Sequence, residues 1–146
     1  MHTLFYSSVA SRKMLDSDIL DILEVSRDKN SHHLVTGILV YQKRSREFFQ
    51  ILEGEKEVIF RLLENIENDE RNSSLDLIYD EEIPERNFKN WGMAFADLDS
   101  VENHKLDSFS EYLRKGFTSE VSQENIDNYN RTIKMFQHYI SDSNPS

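Results

Sequence analysis

The hydrophobic and polar positions of this chain follow strand-like and helix-like patterns in turn. Short runs that are apolar, or that alternate apolar with polar, predict strands over residues 3–8, 34–41, 48–54, 75–80 and 91–96. Apolar residues three or four positions apart predict one helix from residue 15 to a polar loop at residues 30–33, and another over residues 55–68. The order βαββαββ predicts an α+β, ferredoxin-like sandwich, in which a five-stranded mixed sheet carries both helices on one face.

The last third of the chain predicts two more helices. A short apolar stripe lies within residues 106–113, and a narrower seam runs from residue 126 to residue 140 at spacings of three and four. This seam must be buried on the free face of the sheet, on the neighbouring helix or on a second chain. We expect three segments, which are a sandwich domain at residues 1–97, a helical segment at residues 98–140 and a disordered tail at residues 141–146.

The predicted strand at residues 48–54 is apolar on both faces, as is typical of a central strand covered on both sides. Gln50 then lies in or near the core, where an amide without hydrogen-bond partners costs roughly 1–3 kcal/mol. If the first strand lies beside this one, Tyr6 and Gln50 share a face beneath the two helices, and Asn30 lies at the end of the first helix. A phenol with two amides suits a planar heterocycle, but backbone groups or water can satisfy the same side chains.

The composition excludes several classes of function. A net charge of −10, from 17 basic and 27 acidic residues, argues against nucleic acid or an anionic membrane as the partner. The chain has no cysteine, which excludes disulfides and thiolate chemistry, and its five histidines show no metal-ligand spacing, so we expect no metal site. No apolar run could span a membrane and no signal peptide is visible, so we expect a cytoplasmic location.

Five short motifs occur in order along the first 97 residues. They are Tyr6-Ser7-Ser8, Asn30 with Thr36-Gly37, Phe49-Gln50-x-Leu52-Glu53-Gly54, Asp69-x-Arg71 and Trp91-x-Met93. Together they resemble the motifs of BLUF domains, which are blue-light sensors that bind FAD non-covalently. The resemblance implies that residues 1–97 are a flavin-binding domain. The C-terminal helices are similar to the cap of short, single-domain members of that family.

The resemblance implies a light-driven switch. Blue light would drive electron and proton transfer from Tyr6 to the flavin, leaving Gln50 rotated or tautomerised and the flavin absorption band shifted slightly to the red. Trp91 and Met93, which strand alternation places on one face, would pass this change to the C-terminal helices. No residue would be catalytic in the enzymatic sense.

The resemblance also implies a binding site between the two helices, with the flavin ring between Ile22 and Ile66. The residues implied in cofactor binding are Tyr6, Ile22, Ser26, Lys29, Asn30, Gln50, Asn65, Ile66, Asp69 and Arg71. FAD is the expected cofactor. FMN and riboflavin are alternatives because Asn65 and Asn72 stand where the family often has Arg and His, and Lys29 also departs from the usual pattern.

Other classes of function compete with this interpretation. Each site residue has a plainer role in a core or on a surface, and a ligand-free ferredoxin-like interaction module would need no cofactor. An acylphosphatase-like enzyme would want a glycine-rich anion loop, which residues 6–12 lack, and a flavin-dependent oxidoreductase would want a glycine fingerprint for NAD, which is absent.

We expect a non-enzymatic photoreceptor that contacts a downstream protein through its C-terminal helices or its sheet face, because no effector domain follows in the sequence. A homo-oligomer, either a dimer or a larger ring, is expected because the terminal seam and the free sheet face need cover.

Overall fold

The computed structural model describes residues 1–70, 72–89, 91–97 and 122–141. Within these ranges the backbone forms one sheet and three α-helices. The elements in chain order are β1 (His2–Ala10), α1 (Asp16–His33), β2 (Thr36–Gln42), β3 (Glu47–Gly54), α2 (Lys56–Glu67), β4 (Asn72–Glu82), β5 (Ala94–Asp97), α3 (Ser122–His138) and β6 (Ile140–Ser141).

The sheet has the strand order β4-β1-β3-β2-β5-β6. The pair β2 and β5 is parallel and every other neighbouring pair is antiparallel, so the sheet is mixed. The five predicted strands are all present in the predicted order, and the ferredoxin-like α+β sandwich is confirmed. The two-residue strand β6, which the sequence did not predict, extends the sheet to six strands.

The two faces of the sheet are covered by different helices. Side chains of α1 and α2 share a buried cluster with one set of strand residues, which includes Leu4, Leu39 and Leu52. The apolar seam of α3 packs on the opposite set of strand residues, where Phe136 meets Phe5 at 5.9 Å between ring centroids. Three surfaces were predicted as alternatives to bury the C-terminal seam: the free face of the sheet, the neighbouring helix or a second chain. In the structure the seam is buried on the free face of the same sheet.

Gly37 is required by the close packing of β2 on β3. A Cβ atom at this position would clash with the carbonyl oxygen of Ile51, a backbone atom that cannot move aside. Strand packing alone therefore explains why glycine occupies position 37 of the Thr36-Gly37 motif, without reference to any ligand.

Several predicted boundaries were wrong. Helix α1 continues through residues 30–33, which were predicted to be a loop, and ends at Leu34 in a left-handed conformation with φ of 55°. Strand β5 begins at Ala94 rather than at residue 91. The predicted disordered tail begins too early, since Ser141 pairs with Phe95 in β6.

Part of the C-terminal prediction lies outside the described residues, namely the helix expected at residues 106–113 and residues 142–146 of the tail. Among the helices that the structure describes, none combines the length and the apolar character needed to cross a membrane.

Candidate functional site

A cavity lies between α1 and α2, above the strands β1, β3 and β2. Its floor is formed by strand side chains that are buried, and its mouth by helix side chains that are exposed or half-buried. The described residues that line it are Tyr6, Ser8, Ile22, Val25, Ser26, Lys29, Asn30, Leu39, Phe48, Gln50, Leu52, Leu62, Asn65, Ile66, Asp69, Asn72 and Met93. Ten of the residues named from the sequence as switch or cofactor-binding residues are brought together in this one cavity.

Tyr6 and Gln50 face each other directly on the cavity floor. They are Cα partners in the antiparallel register of β1 and β3, so the predicted sharing of one face is confirmed. Gln50 is only 6% exposed and donates from Nε2 to the Met93 sulfur at 3.5 Å. The phenol and the amide therefore lie side by side at the point where α1 and α2 leave the sheet uncovered.

The hydroxyl of Tyr6 is buried and has no hydrogen-bond partner among the described residues. Burial also raises the pKa of Tyr6 well above 10, so the phenol keeps its proton at neutral pH. A buried hydroxyl without a partner costs about 1–3 kcal/mol. The other such atom in the described part of the chain, Ser45 Oγ, lies in the turn between β2 and β3, away from the cavity lining.

Asn30 lies on the last turn of α1 and is 3% exposed. Its Nδ2 donates to the carbonyl oxygen of Gly92, while its own backbone carbonyl accepts from the N–H of Val35 at 3.0 Å. The helix extends past Asn30, so this amide projects from a regular helical position rather than from a loop. One helix side chain thereby borders the cavity and also holds the segment that leads into β5.

Trp91 and Met93 lie on opposite faces of the sheet, which corrects the prediction that both share one face. Met93 is buried in the cluster beneath α1 and α2 and lines the cavity. Trp91 packs instead against the cluster that includes Phe136 of α3. Strand alternation fails here because residues 91–93 precede β5 and are not part of it.

The mouth of the cavity carries its charged groups. Lys29 and Asn65 are exposed and Asp69 is half-buried. Among the described lining residues Lys29 is the one cation and Asp69 the one carboxylate. Arg71, which the resemblance implied as a further cofactor contact, lies outside the described residues.

Sequence reasoning missed several residues of the lining. Ser8 of β1 is joined to Asn72 of β4 by a side-chain hydrogen bond, in which Ser8 Oγ donates to Asn72 Oδ1 at 3.3 Å. The apolar residues Val25, Leu39, Phe48 and Leu62 complete the walls. The strand period placed Phe48 on the same face as Gln50, so that residue could have been found. Leu39 could be found only once the pairing of β2 with β3 was known.

The donor set fits a planar heterocycle and gives no sign of a metal centre. The cavity offers an unpartnered phenol and two amides beside it, with isoleucines from both helices on its walls. In the described ranges, no group of three His, Cys, Asp or Glu side chains is placed to hold a metal ion. Fold and site together define a ligand-binding α+β sandwich whose ligand has both hydrogen-bonding edges and apolar faces.

Comparison with known proteins identifies the family to which this ligand-binding sandwich belongs. The family described as sensors of blue light using FAD, BLUF, matches residues 1–94. The chain therefore belongs to the BLUF family and is a blue-light flavin sensor. No curated protein sequence matches it significantly.

Solved structures of other proteins, one of them titled as a BLUF protein, resemble the chain over most of its length. The ground state of BlsA is 30% identical with a TM-score of 0.67, and the match covers 91% of this chain and 87% of BlsA. The dark state of BlrB is 25% identical with a TM-score of 0.67, over 92% and 95% of the two chains. A bacterial light-regulated adenylyl cyclase is 29% identical with a TM-score of 0.67, and its match covers 97% of this chain but 40% of the cyclase.

Proposed function

We propose that the chain binds FAD in the cavity between α1 and α2 and detects blue light through the Tyr6–Gln50 pair. The observation that carries the proposal is the buried Tyr6 hydroxyl, which has no partner among the described residues and lies directly across the strand pair from Gln50. A hydrogen bond to the amide of a rotated Gln50, or to the cofactor, would satisfy this hydroxyl.

The bound flavin supplies blue-light absorption and an electron-accepting ring. Tyr6 would supply the electron and the hydroxyl proton that such a ring can accept after excitation, and it would recover both from the ring afterwards. Gln50 then differs from its dark state in the orientation or tautomeric form of its amide. Since Gln50 Nε2 contacts the Met93 sulfur, a change of this amide alters a contact with the segment that precedes β5.

The remaining cavity residues bind and orient the cofactor in this proposal. Ile22 and Ile66 would contact the apolar faces of the ring, and Asn30 and Ser26 would be available to its hydrogen-bonding edge. Lys29, Asn65 and Asp69 at the mouth would be available to the tail of the cofactor, and Arg71 is proposed as a further contact for that tail. FAD is proposed over FMN and riboflavin from the family description. Extraction and chromatography of the bound flavin would decide among the three.

The output is proposed to be non-enzymatic contact with a partner protein, made through the C-terminal helices. The free sheet face, which was the alternative contact surface, is covered by α3. Residues 1–97 would sense light, and residues 98–140 would transmit the resulting structural change to the partner protein. The sequence favours a homo-oligomer because the terminal seam and the free sheet face need cover. In the structure they cover each other, so a dimer or ring stays a prediction that needs another cause.

The experiment is a comparison of three variants by light-minus-dark absorption spectroscopy. Tyr6→Phe and Gln50→Leu should bind flavin but lose the reversible red shift. The control is Tyr129→Phe, the same substitution at a tyrosine of α3 whose hydroxyl bonds to Thr3 Oγ1 at 2.7 Å on the opposite face of the sheet. A full red shift in Tyr6→Phe, or loss of the shift in Tyr129→Phe, would contradict the assignment of the switch.

A further inference from the structure

Three consecutive backbone carbonyls before β5 are each held by a different donor. Gly37 N donates to the carbonyl of Trp91 at 3.2 Å, Asn30 Nδ2 donates to that of Gly92, and Arg27 Nε donates to that of Met93 at 3.0 Å. Two of these donors are side chains on successive turns of α1. The segment at residues 91–93 is thereby fixed to the helix that forms one wall of the cavity.

The segment lies flat against α1 at Arg27. A Cβ atom added at Gly92 would be 3.8 Å from the carbonyl oxygen of Arg27 and 3.9 Å from its Cα, which is ordinary contact distance. The side chain of Arg27 is half-buried as it crosses to the carbonyl of Met93. This bond is made by the backbone of Met93, whose sulfur accepts from Gln50.

These bonds account for the placement of the two large side chains. In a regular strand, residues two apart point to the same face, so a β5 extended back to residue 91 would bring Trp91 to the cavity side with Met93. The observed segment is not a strand, and Trp91 packs with α3 on the other face. In the observed segment the carbonyl of Met93 is bonded to Arg27 of α1.

We propose that Arg27 is a positioning residue of the light switch, which holds Met93 beside Gln50 and keeps Trp91 on the α3 face. Nothing in the family resemblance assigned it a role, and it does not line the cavity. The inference rests on the proposed function for its meaning in signalling. The positions of Met93 and Trp91 can be measured whether or not flavin is bound.

The test uses two substitutions that differ in one donor. Gln places its Nε2 the same number of bonds from Cα as the Nε of Arg, whereas Met places a methyl group there. Both Arg27→Gln and Arg27→Met remove the charge and the rest of the guanidinium. The difference between them therefore isolates the bond to the Met93 carbonyl. Arg61→Met, at an exposed arginine of α2, controls for loss of one positive charge.

The readout is the ¹⁹F NMR spectrum of protein labelled with 5-fluorotryptophan, which has one labelled site because Trp91 is the sole tryptophan. In Arg27→Met we expect a second or displaced resonance, with the population of the alternative placement raised about two- to tenfold, as loss of one net hydrogen bond implies. Arg27→Gln and Arg61→Met should match the wild type. If Arg27→Met does not purify, Arg27→Ala repeats the deletion with the best helix former.

A second measurement connects the placement to the light response. The rate of dark recovery after blue light should change by a similar factor in Arg27→Met and stay near the wild-type rate in Arg27→Gln. A wild-type fluorine spectrum in Arg27→Met would overturn the proposal, and so would an equal change in Arg27→Gln. If no flavin binds at all, the proposed function fails, but the fluorine spectrum still decides the role of Arg27.

Discussion

The two faces of the one sheet differ in how their buried polar groups are satisfied. On the α3 face the carboxylate of Glu53 is fully buried, and it accepts from the Thr36 hydroxyl at 3.1 Å and from the backbone N–H groups of Asn87 and Phe88 at 2.7 and 2.9 Å. On the cavity face the hydroxyl of Tyr6 is equally buried, yet it has no partner in the described part of the chain.

The same strands supply both faces, so the difference is not one of strand composition. Strand β1 sends Phe5 into the closed core under α3 and Tyr6 into the open cavity under α1 and α2. A polar group that the fold itself satisfies has a structural role, whereas a buried one that the fold leaves unpaired is available to a ligand. This difference supports the proposal that the cavity face of the sandwich carries the function.

The largest expected effect is on the free energy of unfolding. It can be measured by replacing one isoleucine with alanine on each face of the sheet. Ile133 of α3 is 4% exposed in the closed core, so Ile133→Ala should lower the free energy of unfolding by about 2–5 kcal/mol. Ile66 of α2 is half-buried and borders the cavity, so Ile66→Ala removes fewer contacts and should cost under about 2 kcal/mol.

Urea unfolding without added flavin measures both costs. Flavin titration of the same two proteins supplies the complement, since Ile66→Ala should weaken flavin binding and Ile133→Ala should not. Equal losses of stability, or weaker binding in Ile133→Ala alone, would contradict the distinction between the faces.

A smaller effect concerns alkaline pH. Burial raises the pKa of Tyr6 well above 10 in the folded protein, whereas an unfolded tyrosine ionises near 10. The unfolded chain therefore loses its proton first as pH rises, so the contribution of Tyr6 is fully present below pH 10 and is lost above it. The loss should be at most about 1.4 kcal/mol per pH unit.

The measurement is the free energy of unfolding at several pH values from 8 upward, for wild type and Tyr6→Phe. Tyr79 on the opposite face gives the comparison, because burial and the nearby Glu81 carboxylate raise the pKa of Tyr79 to about 12. Tyr6→Phe and Tyr79→Phe should each flatten the decline in the free energy of unfolding above pH 10. An unchanged slope in Tyr6→Phe would show that this phenol is not buried as described.

The smallest expected effect is electrostatic and belongs to the cavity mouth. Lys29→Met removes the one cation of the described lining. Because Lys29 is exposed, the change resembles loss of a surface ion pair and should lower the two-electron midpoint potential of bound flavin by about 5–20 mV. Lys13→Met, an exposed lysine that does not line the cavity, should leave the potential unchanged. A fall of equal size in both variants would indicate a general charge effect.

Much of the fold followed from the hydrophobic pattern. The pattern located all five main strands, α1, α2 and the seam of α3, since each buries a regular face. The ends were harder to predict, because Leu34 and Arg46 adopt the left-handed conformation at φ of 55° and 60° that usually signals Gly or Asn. Strand β6 was missed because two residues carry no periodicity.

Some residues of the candidate site could likewise be placed from the sequence and others could not. Tyr6 and Gln50 could be paired because strand alternation and one assumption about neighbours place them on one face. Trp91 could not be placed by alternation, since it precedes β5 and the backbone of the next two residues accepts side-chain hydrogen bonds from Asn30 and Arg27. Hydrogen bonds from side chains to the backbone produce no periodic pattern of hydrophobic residues in a sequence. They are visible only once α1 and the segment before β5 are seen together.

The central claim is that the cavity face holds a flavin whose surroundings change with light while its oxidation state returns. An absorption spectrum of the purified protein before, during and after blue light tests this directly. The account predicts a yellow protein whose flavin bands move slightly to the red without bleaching and return in darkness. A protein that binds no flavin, or whose flavin bleaches and needs an oxidant to recover, would contradict it.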